Sequence, residues 1–572
     1  MNFENIKNIE MIANLLKEHN IKNLVISPGG TNIPLVKKVQ QDAFFSCYSI
    51  VDERSAVYFA IGLYLQTGTP VAMICTSAQA TRNYIPGLTE AFYKKVPILA
   101  ITMEKHPRFK YQEYMQAPDQ TSLPKDSIKK TFELPFIRDI NDIYHSRRVI
   151  NDAILELSHH GKGPVQLCVP WLDFKISNVE PKKLTIRRFA TTDIEKFDLK
   201  EKKVLIAIGE HRPFSNKEKD AINYFCENTN SVIYTNHLSN FSNDFSINAN
   251  LLLSTINDEE FNMIKPDILI TIGGQTGDYP LYLRLSKTEY SEIEHWRISE
   301  DGDVVDTYDK LTNIFQGSES DFFINVSKNK ITHTYIELWK KIDDSLNREV
   351  DVPFSNVSIA EAIHNKIPEK SIIQFSILNS LRVWNLFELD PSIECYSNVG
   401  AFGIDGGMST LIGQSVVTTE LAFLIIGDLA FFYDMNSLGI RHIKNNLRIL
   451  LINNNGGVEF KLHGEDKNIV DNYIAAANHN KNARGWAETC GFNYLSAKNM
   501  DEFQENYKEF LDKSDKPIIF EVFVSDKDES KAYNAFVNTN KDKTKVEIFK
   551  NGLKKILGEG KYNELKKKIK KI

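Results

Sequence analysis

The chain has 572 residues, of which 42% are apolar and 25% charged, and its formal net charge is −6. These values are typical of a folded globular protein with several domains, and they exclude a disordered chain, a collagen-like repeat and a coiled-coil rod. A net negative charge provides no broad cationic surface for a polyanion. We therefore expect no nucleic-acid partner.

The six cysteines stand far apart, without a Cys-x-x-Cys pair. This pattern favours neither a zinc site nor a disulfide scaffold. The N-terminus lacks the basic start and apolar stretch of a signal peptide, and no apolar run approaches the ~18 residues of a membrane span. The sequence thus predicts a cytoplasmic protein with reduced cysteines and no membrane span.

Helices and strands alternate through the first third of the chain. Short apolar runs predict strands at 24–26, 71–75 and 98–102, and apolar residues at helical spacing predict helices at 53–65 and 84–93. The first strand ends in Ser-Pro-Gly-Gly, a turn sequence. Such alternation predicts a parallel sheet covered by helices.

The same pattern restarts twice. The middle third has predicted strands at 204–208 and 268–272, and the last third has them at 372–373, 423–426, 449–452 and 518–522. Polar stretches at 179–183 and 347–355 interrupt the pattern. We expect three consecutive α/β domains with parallel sheets flanked by helices, at 1–180, 190–345 and 355–545, and then a lysine-rich helical tail at 546–572.

The strongest chemical signal lies in the last third. Gly427 and Asp428 follow one apolar strand, and Asn455, 27 residues after Asp428, follows the next within Asn-Asn-Asn-Gly-Gly. Ligands bind at the carboxyl ends of parallel strands. Carboxylate and amide oxygens suit Mg²⁺ or Ca²⁺ bridging a diphosphate, and glycines let backbone approach closely. The alternative is a simple Asn-Gly turn beside a helix-capping aspartate; the pair at this spacing favours the metal site.

This motif resembles the metal and diphosphate site of thiamine-diphosphate (ThDP) enzymes. Over about residues 1 to 530 the chain is similar to one such family, the SEPHCHC synthases (MenD family) of menaquinone synthesis. The segments that carry the resemblance occur in the family's order: Ser27-Pro28-Gly29, Val51-Asp52-Glu53-Arg54-Ser55, Cys75-Thr76-Ser77, Gln116-Ala117-Pro118-Asp119-Gln120, Asn379-Ser380-Leu381, Tyr396-Ser397-Asn398, Gly403-Ile404-Asp405-Gly406 and Gly427-Asp428-Leu429.

The resemblance implies a pyrimidine-binding, a central and a diphosphate-binding domain in that order. It also implies ThDP and Mg²⁺ as cofactors, with Ca²⁺ or Mn²⁺ able to replace Mg²⁺. In such enzymes the active site forms between the pyrimidine-binding domain of one subunit and the diphosphate-binding domain of another. A homodimer or homotetramer is therefore implied.

Site residues follow from the same resemblance. Glu53 would hydrogen-bond N1′ of the aminopyrimidine and activate the cofactor; the alternative is an acidic residue that stabilises the first turn of a helix. The metal ligands would be the side chains of Asp428 and Asn455 and the carbonyl of Gly457. Other implied roles are Gln116 and Ser380 beside the reacting carbonyl, Ile404 as the apolar prop of the cofactor, and cofactor contacts by Ser27, Pro28, Ser77, Asn83, Gly403, Gly427 and Leu429.

The chain departs from the family where that family binds substrate carboxylates. Basic residues of the family fall here at Thr31, at Asp278 and Tyr279, at Trp384 and at Val399. Of these, Tyr279, Trp384 and Val399, together with Phe402, predict a more apolar and aromatic substrate pocket. A charge-assisted hydrogen bond to a carboxylate contributes about 1.5 to 3 kcal/mol, so the change predicts different substrates. Arg82, Lys105, Arg108 and Arg382 are basic neighbours that could compensate.

The sequence therefore predicts a ThDP- and Mg²⁺-dependent enzyme that decarboxylates a pyruvate-like or other small 2-oxo acid. The resulting acyl carbanion equivalent would be transferred to an unknown carbonyl or other acceptor, forming a C–C bond. One alternative is SEPHCHC synthase itself, acting on 2-oxoglutarate and isochorismate. Another is a catalytically silent α/β assembly protein, which the joint retention of Glu53, Asp428 and Asn455 disfavours.

Overall fold

Three parallel sheets of six, seven and six strands form the protein. The computed structural model describes residues 6–171, 185–329, 331–461 and 478–541. Helices flank each sheet, which confirms the predicted class of three consecutive α/β units. The predicted tail at 546–572 and the polar stretch at 179–183 lie outside the described residues. Within the described ranges, no helix is both long and apolar enough to cross a membrane.

The N-terminal sheet has the strand order β2-β1-β3-β4-β6-β5. Its strands are β1 Asn23–Ile26, β2 Ser46–Ser49, β3 Val71–Cys75, β4 Ile98–Glu104, β5 Thr131–Glu133 and β6 Val165–Pro170. Its helices are α1 Lys7–Glu18, α2 Ile33–Gln40, α3 Glu53–Thr67, α4 Gln79–Asn83, α5 Ile85–Tyr93 and α6 Ile140–Glu156. All five predicted elements of this region are confirmed. Every residue of β3 and β4 is buried, as expected for central parallel strands covered on both faces.

The central sheet has the order β10-β9-β8-β11-β12-β13-β7. Its strands are β7 Arg187–Ala190, β8 Lys203–Ile208, β9 Asn230–Thr235, β10 Ser246–Asn248, β11 Ile268–Ile272, β12 Glu294–Ser299 and β13 Leu311–Gln316. Its helices are α7 Asn216–Asn228, α8 Asn250–Thr255, α9 Asp258–Ile264, α10 Pro280–Leu285, α11 Glu319–Ile324 and α12 Thr334–Asp343. Because β7 pairs with β13, this sheet begins before the predicted limit at 190. Strand β7 was not predicted because it begins with two exposed arginines and therefore has no apolar run.

The C-terminal sheet has the order β15-β14-β16-β17-β19-β18. Its strands are β14 Ile372–Phe375, β15 Glu394–Ser397, β16 Ala422–Gly427, β17 Leu447–Asn453, β18 Asn493–Ala497 and β19 Ile518–Phe523. Its helices are α13 Asn356–Ile363, α14 Asn379–Trp384, α15 Gly407–Ser415, α16 Asp428–Asp434, α17 Arg484–Thr489, α18 Met500–Leu511 and α19 Asp526–Thr539. Counted from its own first strand, this order is the order of the N-terminal sheet.

Short 3-10 turns connect several of these elements. They span Gly30–Asn32, Pro107–Phe109, Thr191–Lys196, His237–Ser239, Thr288–Tyr290, Met435–Gly439 and Val458–Lys461.

The start of α3 is fixed by local chemistry. The Asp52 side chain accepts a hydrogen bond from the backbone N–H of Ser55 (3.1 Å), as an N-cap residue does. The helix ends at Gly68, whose φ of +68° is the left-handed conformation that favours glycine. These signals place Glu53 at the first helical position.

Candidate active site

The predicted site residues of the N-terminal sheet lie at the carboxyl ends of its strands. Ser27 follows β1, Ser77 follows β3, and Gln116 lies in the loop after β4. Glu53 begins the helix that follows β2. Because all strands are parallel, these positions share one edge of the sheet.

The C-terminal sheet has the same arrangement. Ser380 follows β14, Ile404 follows β15, Asp428 follows β16, and Asn455 follows β17. Strands β14, β16 and β17 are neighbours in the sheet, which brings their carboxyl ends together. Ile404 is half-buried and packs against the apolar clusters on both faces of this sheet.

The loop after β17 folds directly over Asp428. The Asp428 Oδ2 atom accepts hydrogen bonds from the backbone N–H groups of Asn454 (3.1 Å) and Gly456 (3.0 Å). Asn455 between them has a φ of +62°, and it is exposed. Gly457 follows and is buried. The carboxylate is thus held beside the residues predicted to share a metal ion with it.

These residues fit a hard divalent cation. Asp428, the Asn455 amide and the Gly457 carbonyl are all oxygen donors, which Mg²⁺ and Ca²⁺ prefer. In the described part of the chain, no group of three His, Cys, Asp or Glu side chains could hold a metal.

His479 is a neighbour of this site that sequence reasoning missed. Its Nε2 atom lies 3.3 Å from Asp428 Oδ2, and its backbone N–H donates to the carbonyl of Asn455 (3.2 Å). The segment around it has no apolar period, so only the folded chain shows the contact.

Glu53 is buried, with 8% of its surface exposed. Its Oε2 atom accepts a hydrogen bond from Tyr433 Oη (2.7 Å), and Tyr433 Oη accepts one from Asn83 Nδ2 (2.8 Å). Burial raises the pKa of Glu53 to about 7, the Tyr433 hydrogen bond opposes that rise, and the charges of Asp405 and Asp52 add to it. A carboxyl with this pKa exchanges a proton near neutral pH.

The N-terminal and C-terminal sheets touch at this point within one chain. Besides the contact between Glu53 and Tyr433, Gln79 Nε2 donates to Asp405 Oδ2 (3.0 Å). A Cβ at Gly403 would lie 2.2 Å from Asp405 Oδ1 and 2.6 Å from Gln79 Cγ, so only glycine fits there. The predicted role of Gly403 is therefore joined by a packing role between the sheets.

Strained backbone marks the loops on both sheets. Ala78 precedes α4 with φ +66° and ψ −110°, and Leu378 precedes α14 with φ +65° and ψ −123°. Gln116 also has a positive φ of +54°. Such conformations in residues other than glycine cost free energy and concentrate at functional sites. Ala78 directly follows the predicted residue Ser77, and Leu378 lies two residues before the predicted residue Ser380.

A small pocket lies beside Gln116 and Ser77, and Lys105 lines it. Ser77 Oγ donates to the Gln116 carbonyl (3.2 Å), and Lys105 Nζ donates to the Met115 carbonyl (2.6 Å). The ammonium group also lies 4.8 Å from the centre of the Tyr114 ring. Burial lowers the pKa of Lys105 to about 8.

Most side chains of the predicted substrate pocket are already hydrogen-bonded or buried in the core of this chain. Thr31 Oγ1 lies 2.5 Å from Thr76 Oγ1, and Trp384 Nε1 donates to Asn356 Oδ1 (3.3 Å). Val399 and Phe402 are buried in an apolar cluster of the C-terminal sheet, and Tyr279 packs against it.

Asp278 is turned toward the central sheet. Its Oδ2 atom accepts hydrogen bonds from Tyr234 Oη (3.0 Å), Asn236 Nδ2 (3.0 Å) and Asn250 Nδ2 (2.7 Å). Burial raises its pKa to about 6, against these hydrogen bonds. Its side chain therefore serves the packing of the central domain.

Arg382, on the helix that carries Ser380, is bound by an acid. Its Nη1 and Nη2 atoms donate to Glu459 at 2.6 and 2.9 Å. Both side chains are more than four-fifths buried. A bidentate pair of this kind neutralises the arginine closest in sequence to Ser380.

Comparison with known proteins agrees with this geometry. Residues 7–123 match the family model for the N-terminal TPP-binding domain of thiamine pyrophosphate enzymes. The 2-succinyl-5-enolpyruvyl-6-hydroxy-3-cyclohexene-1-carboxylate (SEPHCHC) synthase of Bacteroides thetaiotaomicron is 31% identical over 537 residues, which is 90% of this chain and 96% of that protein. The enzyme of the same name from Phocaeicola vulgatus is 33% identical over 539 residues, or 90% and 95% of the two chains.

The chain belongs to the SEPHCHC synthase family of ThDP enzymes. It is a ThDP-dependent enzyme that decarboxylates a 2-oxo acid and forms a C–C bond. Family membership explains why the strand ends of two sheets carry the polar residues described above. It also disfavours the silent assembly protein as a description of this chain.

Proposed function

We propose that this enzyme uses ThDP and Mg²⁺ to decarboxylate a small 2-oxo acid of the pyruvate type. It then transfers the acyl carbanion equivalent to a carbonyl or other acceptor. One contrast carries the proposal. Asp428 lies in contact with the loop of Asn455 and Glu53 is a buried carboxyl, whereas the arginine next to Ser380 is bound by Glu459.

ThDP, when bound, supplies a carbon nucleophile and an electron sink for decarboxylation. The chain contributes the groups around it. Glu53 holds a proton at its carboxyl near neutral pH, because burial raises its pKa to about 7. Asp428, Asn455 and the Gly457 carbonyl would hold Mg²⁺, or Ca²⁺ or Mn²⁺ in its place, against the diphosphate.

We expect Lys105 to be the partner of the single carboxylate of a small donor. Gln116 and Ser77, predicted to lie near the reacting carbonyl, border the same pocket as Lys105. A second carboxylate would need a second cation. Arg382 is paired with Glu459, and Lys110 lies 2.7 Å from Glu104 and 3.2 Å from Asp119.

The relatives favour a second candidate function. Their names specify SEPHCHC synthase, so this chain could act on 2-oxoglutarate and isochorismate with Lys105, Arg108 or Arg82 in place of the basic residues it lacks. Arg108 Nη1 is 2.8 Å from Asp309, and Arg82 Nη2 donates to the Asp119 carbonyl (2.6 Å). Rearrangement of these contacts would be required.

A screen of 2-oxo acids for CO₂ release tests the choice between the two. We expect release from pyruvate or a donor of similar size, and loss of that release in Glu53→Gln. Turnover of 2-oxoglutarate with isochorismate, without turnover of pyruvate, would establish the second candidate. If calorimetry in the presence of Mg²⁺ detects no ThDP binding, both candidate functions are contradicted.

We further propose a cytoplasmic homodimer or homotetramer with its active sites between subunits. The resemblance of the sequence to the ThDP enzymes supports the assembly. The six cysteines, all without disulfide partners, support a reducing compartment.

A further inference from the structure

Tyr433 contacts Glu53, although nothing in the family resemblance singles it out. It lies on α16, five residues after Asp428, so the helix that starts at the proposed metal ligand also carries the hydroxyl on Glu53. Among the described residues, Tyr433 is the one side chain that hydrogen-bonds to the Glu53 carboxylate, and it does so at Oε2. Its ring is half-buried.

The direction of this hydrogen bond follows from Asn83. An amide Nδ2 can only donate, so Tyr433 Oη accepts a hydrogen bond from Asn83 Nδ2 at 2.8 Å. A phenol has one proton, which is then left for Glu53 Oε2 at 2.7 Å. The three side chains come from α4, α16 and α3, so they are fixed by the contact between the two sheets.

We infer that Tyr433 is the positioning residue of Glu53: its hydroxyl, oriented by Asn83, holds Oε2 and leaves Oε1 for the cofactor. The inference rests on the proposed function, in which Glu53 holds the reacting proton. A carboxyl that turns about its own axis presents either oxygen, and a fixed partner on one oxygen removes that freedom. The Tyr433 hydroxyl also stabilises the ionised form of Glu53, so it lowers the pH at which Glu53 releases its proton.

Other charges act on Glu53 but do not fix its orientation. Asp52 on the same helix and Asp405 after β15 favour the protonated form. The Cys75 thiol on β3 and the Tyr84 hydroxyl before α5 also face it, and burial keeps both protonated by raising the pKa of each. Of the groups around the carboxyl, Tyr433 therefore has the largest effect in favour of ionisation.

The test is Tyr433→Phe, which removes the hydroxyl and keeps the ring. Its matched control is Tyr396→Phe, because Tyr396 Oη donates to Glu394 at 2.8 Å on an edge strand of the C-terminal sheet. Infrared pH titration of the cofactor-free proteins, with Glu53→Gln subtracted to isolate the Glu53 carboxyl band, measures the pKa of Glu53. Asn83→Ala is a second variant that leaves the hydroxyl in place but removes its orienting donor.

We expect Tyr433→Phe to raise the pKa of Glu53, and Asn83→Ala to raise it less. Turnover at pH 7 should fall about tenfold in Tyr433→Phe, while the KM of the donor stays unchanged. In the pH–activity profile, the transition that reports the ionisation of Glu53 should move to higher pH. Tyr396→Phe should match the wild type in every measurement. Thermal midpoints establish that each variant is folded.

An unchanged pKa of Glu53 in folded Tyr433→Phe would overturn the positioning role. So would an equal change in Tyr396→Phe. Failure of the proposed function has a different signature, which is undiminished turnover in Glu53→Gln. The two results are separable because the pKa measurement needs neither cofactor nor substrate.

Discussion

The N-terminal and C-terminal sheets share one strand order, yet their strand ends carry different chemistry. After its third and fourth strands, the C-terminal sheet has Asp428 and Asn455, whose side-chain oxygens we propose as metal ligands. After the corresponding strands, the N-terminal sheet has Ser77 and Lys105, which line a small pocket. The topology thus sets where polar residues meet, and the residue types set what they bind.

The carboxylates beside the two sheets also differ in their hydrogen-bond donors. Asp428 is bound by backbone N–H groups of the loop that follows the next strand. Glu53 is buried, and in the described part of the chain its one side-chain hydrogen-bond partner is Tyr433, on a helix that flanks the C-terminal sheet. Burial favours the protonated form of Glu53. Asp428 is thus held by the backbone of a neighbouring loop, and Glu53 by a side chain.

Removal of the metal ligand gives the largest expected effect. Asp428→Ala should weaken ThDP binding at least about 100-fold and abolish turnover, because one of the oxygen donors is lost. Calorimetry in Mg²⁺ and after chelation with EDTA measures this. The control Asp434→Asn, at the end of the same helix where Asp434 accepts from Ser409, should bind ThDP as the wild type does. If Asp428→Ala bound ThDP as tightly as the wild type does, the proposed metal site at Asp428 would be contradicted.

Glu53→Gln should separate binding from turnover. The amide cannot exchange the proton, so we expect a loss of about 10² to 10⁴ in turnover. The Kd of ThDP should stay within severalfold of the wild-type value, since the proposed metal ligands are unchanged. Steady-state CO₂ release and calorimetry on the same preparation provide both numbers, and a parallel loss of both would assign Glu53 to binding alone.

Burial of Glu53 should appear as a pH-dependent stability. Its folded pKa of about 7 exceeds the ordinary value of 4.5, so the folded protein binds the proton more tightly than the unfolded chain. Stability is then lost as the pH rises from about 4.5 to 7, by about 3 kcal/mol for this group. Thermal midpoints should be higher for Glu53→Gln than for wild type at pH 8, and should converge near pH 4.5. Parallel curves would show that Glu53 ionises freely in the fold.

Release of Arg382 should change the preference between donors. In Glu459→Gln the guanidinium loses its bidentate carboxylate, and a second substrate carboxylate can take its place. We expect the ratio of kcat/KM for 2-oxoglutarate over pyruvate to rise about tenfold, the value of one charge-assisted hydrogen bond. Glu218→Gln, which breaks the bidentate pair with Arg212 in the central domain, is the matched control and should leave the ratio unchanged.

Mixed oligomers show whether the two sheets of one site belong to one chain or two. Inactive Glu53→Gln and inactive Asp428→Ala protein, dissociated and reassembled together, should recover about a quarter of wild-type activity in a dimer with sites between subunits. Half of the dimers are then mixed, and one of their two sites is intact. No recovery, with mixing shown by native mass spectrometry, would place each site within a single chain.

Much of the fold was readable from the sequence. Buried parallel strands such as β3 and β11 are continuous apolar runs, so their bounds were predicted to the residue. Strands with polar or exposed residues, such as β2 and β7, were missed because period and composition carry no signal there. The order of the strands was also hidden, since it depends on contacts between distant segments.

The sequence by itself predicted a ThDP enzyme, which the family match confirms, because Gly427-Asp428 and the asparagine-glycine loop are local motifs at strand ends. Only the tertiary structure decided that Tyr433 and Asn83 meet at Glu53, that His479 lies beside Asp428 and that Arg382 is paired with Glu459. These contacts join residues that lie from 51 to 380 positions apart in the sequence. Local sequence patterns record which groups a segment carries, whereas burial and pairing are properties of the packed chain.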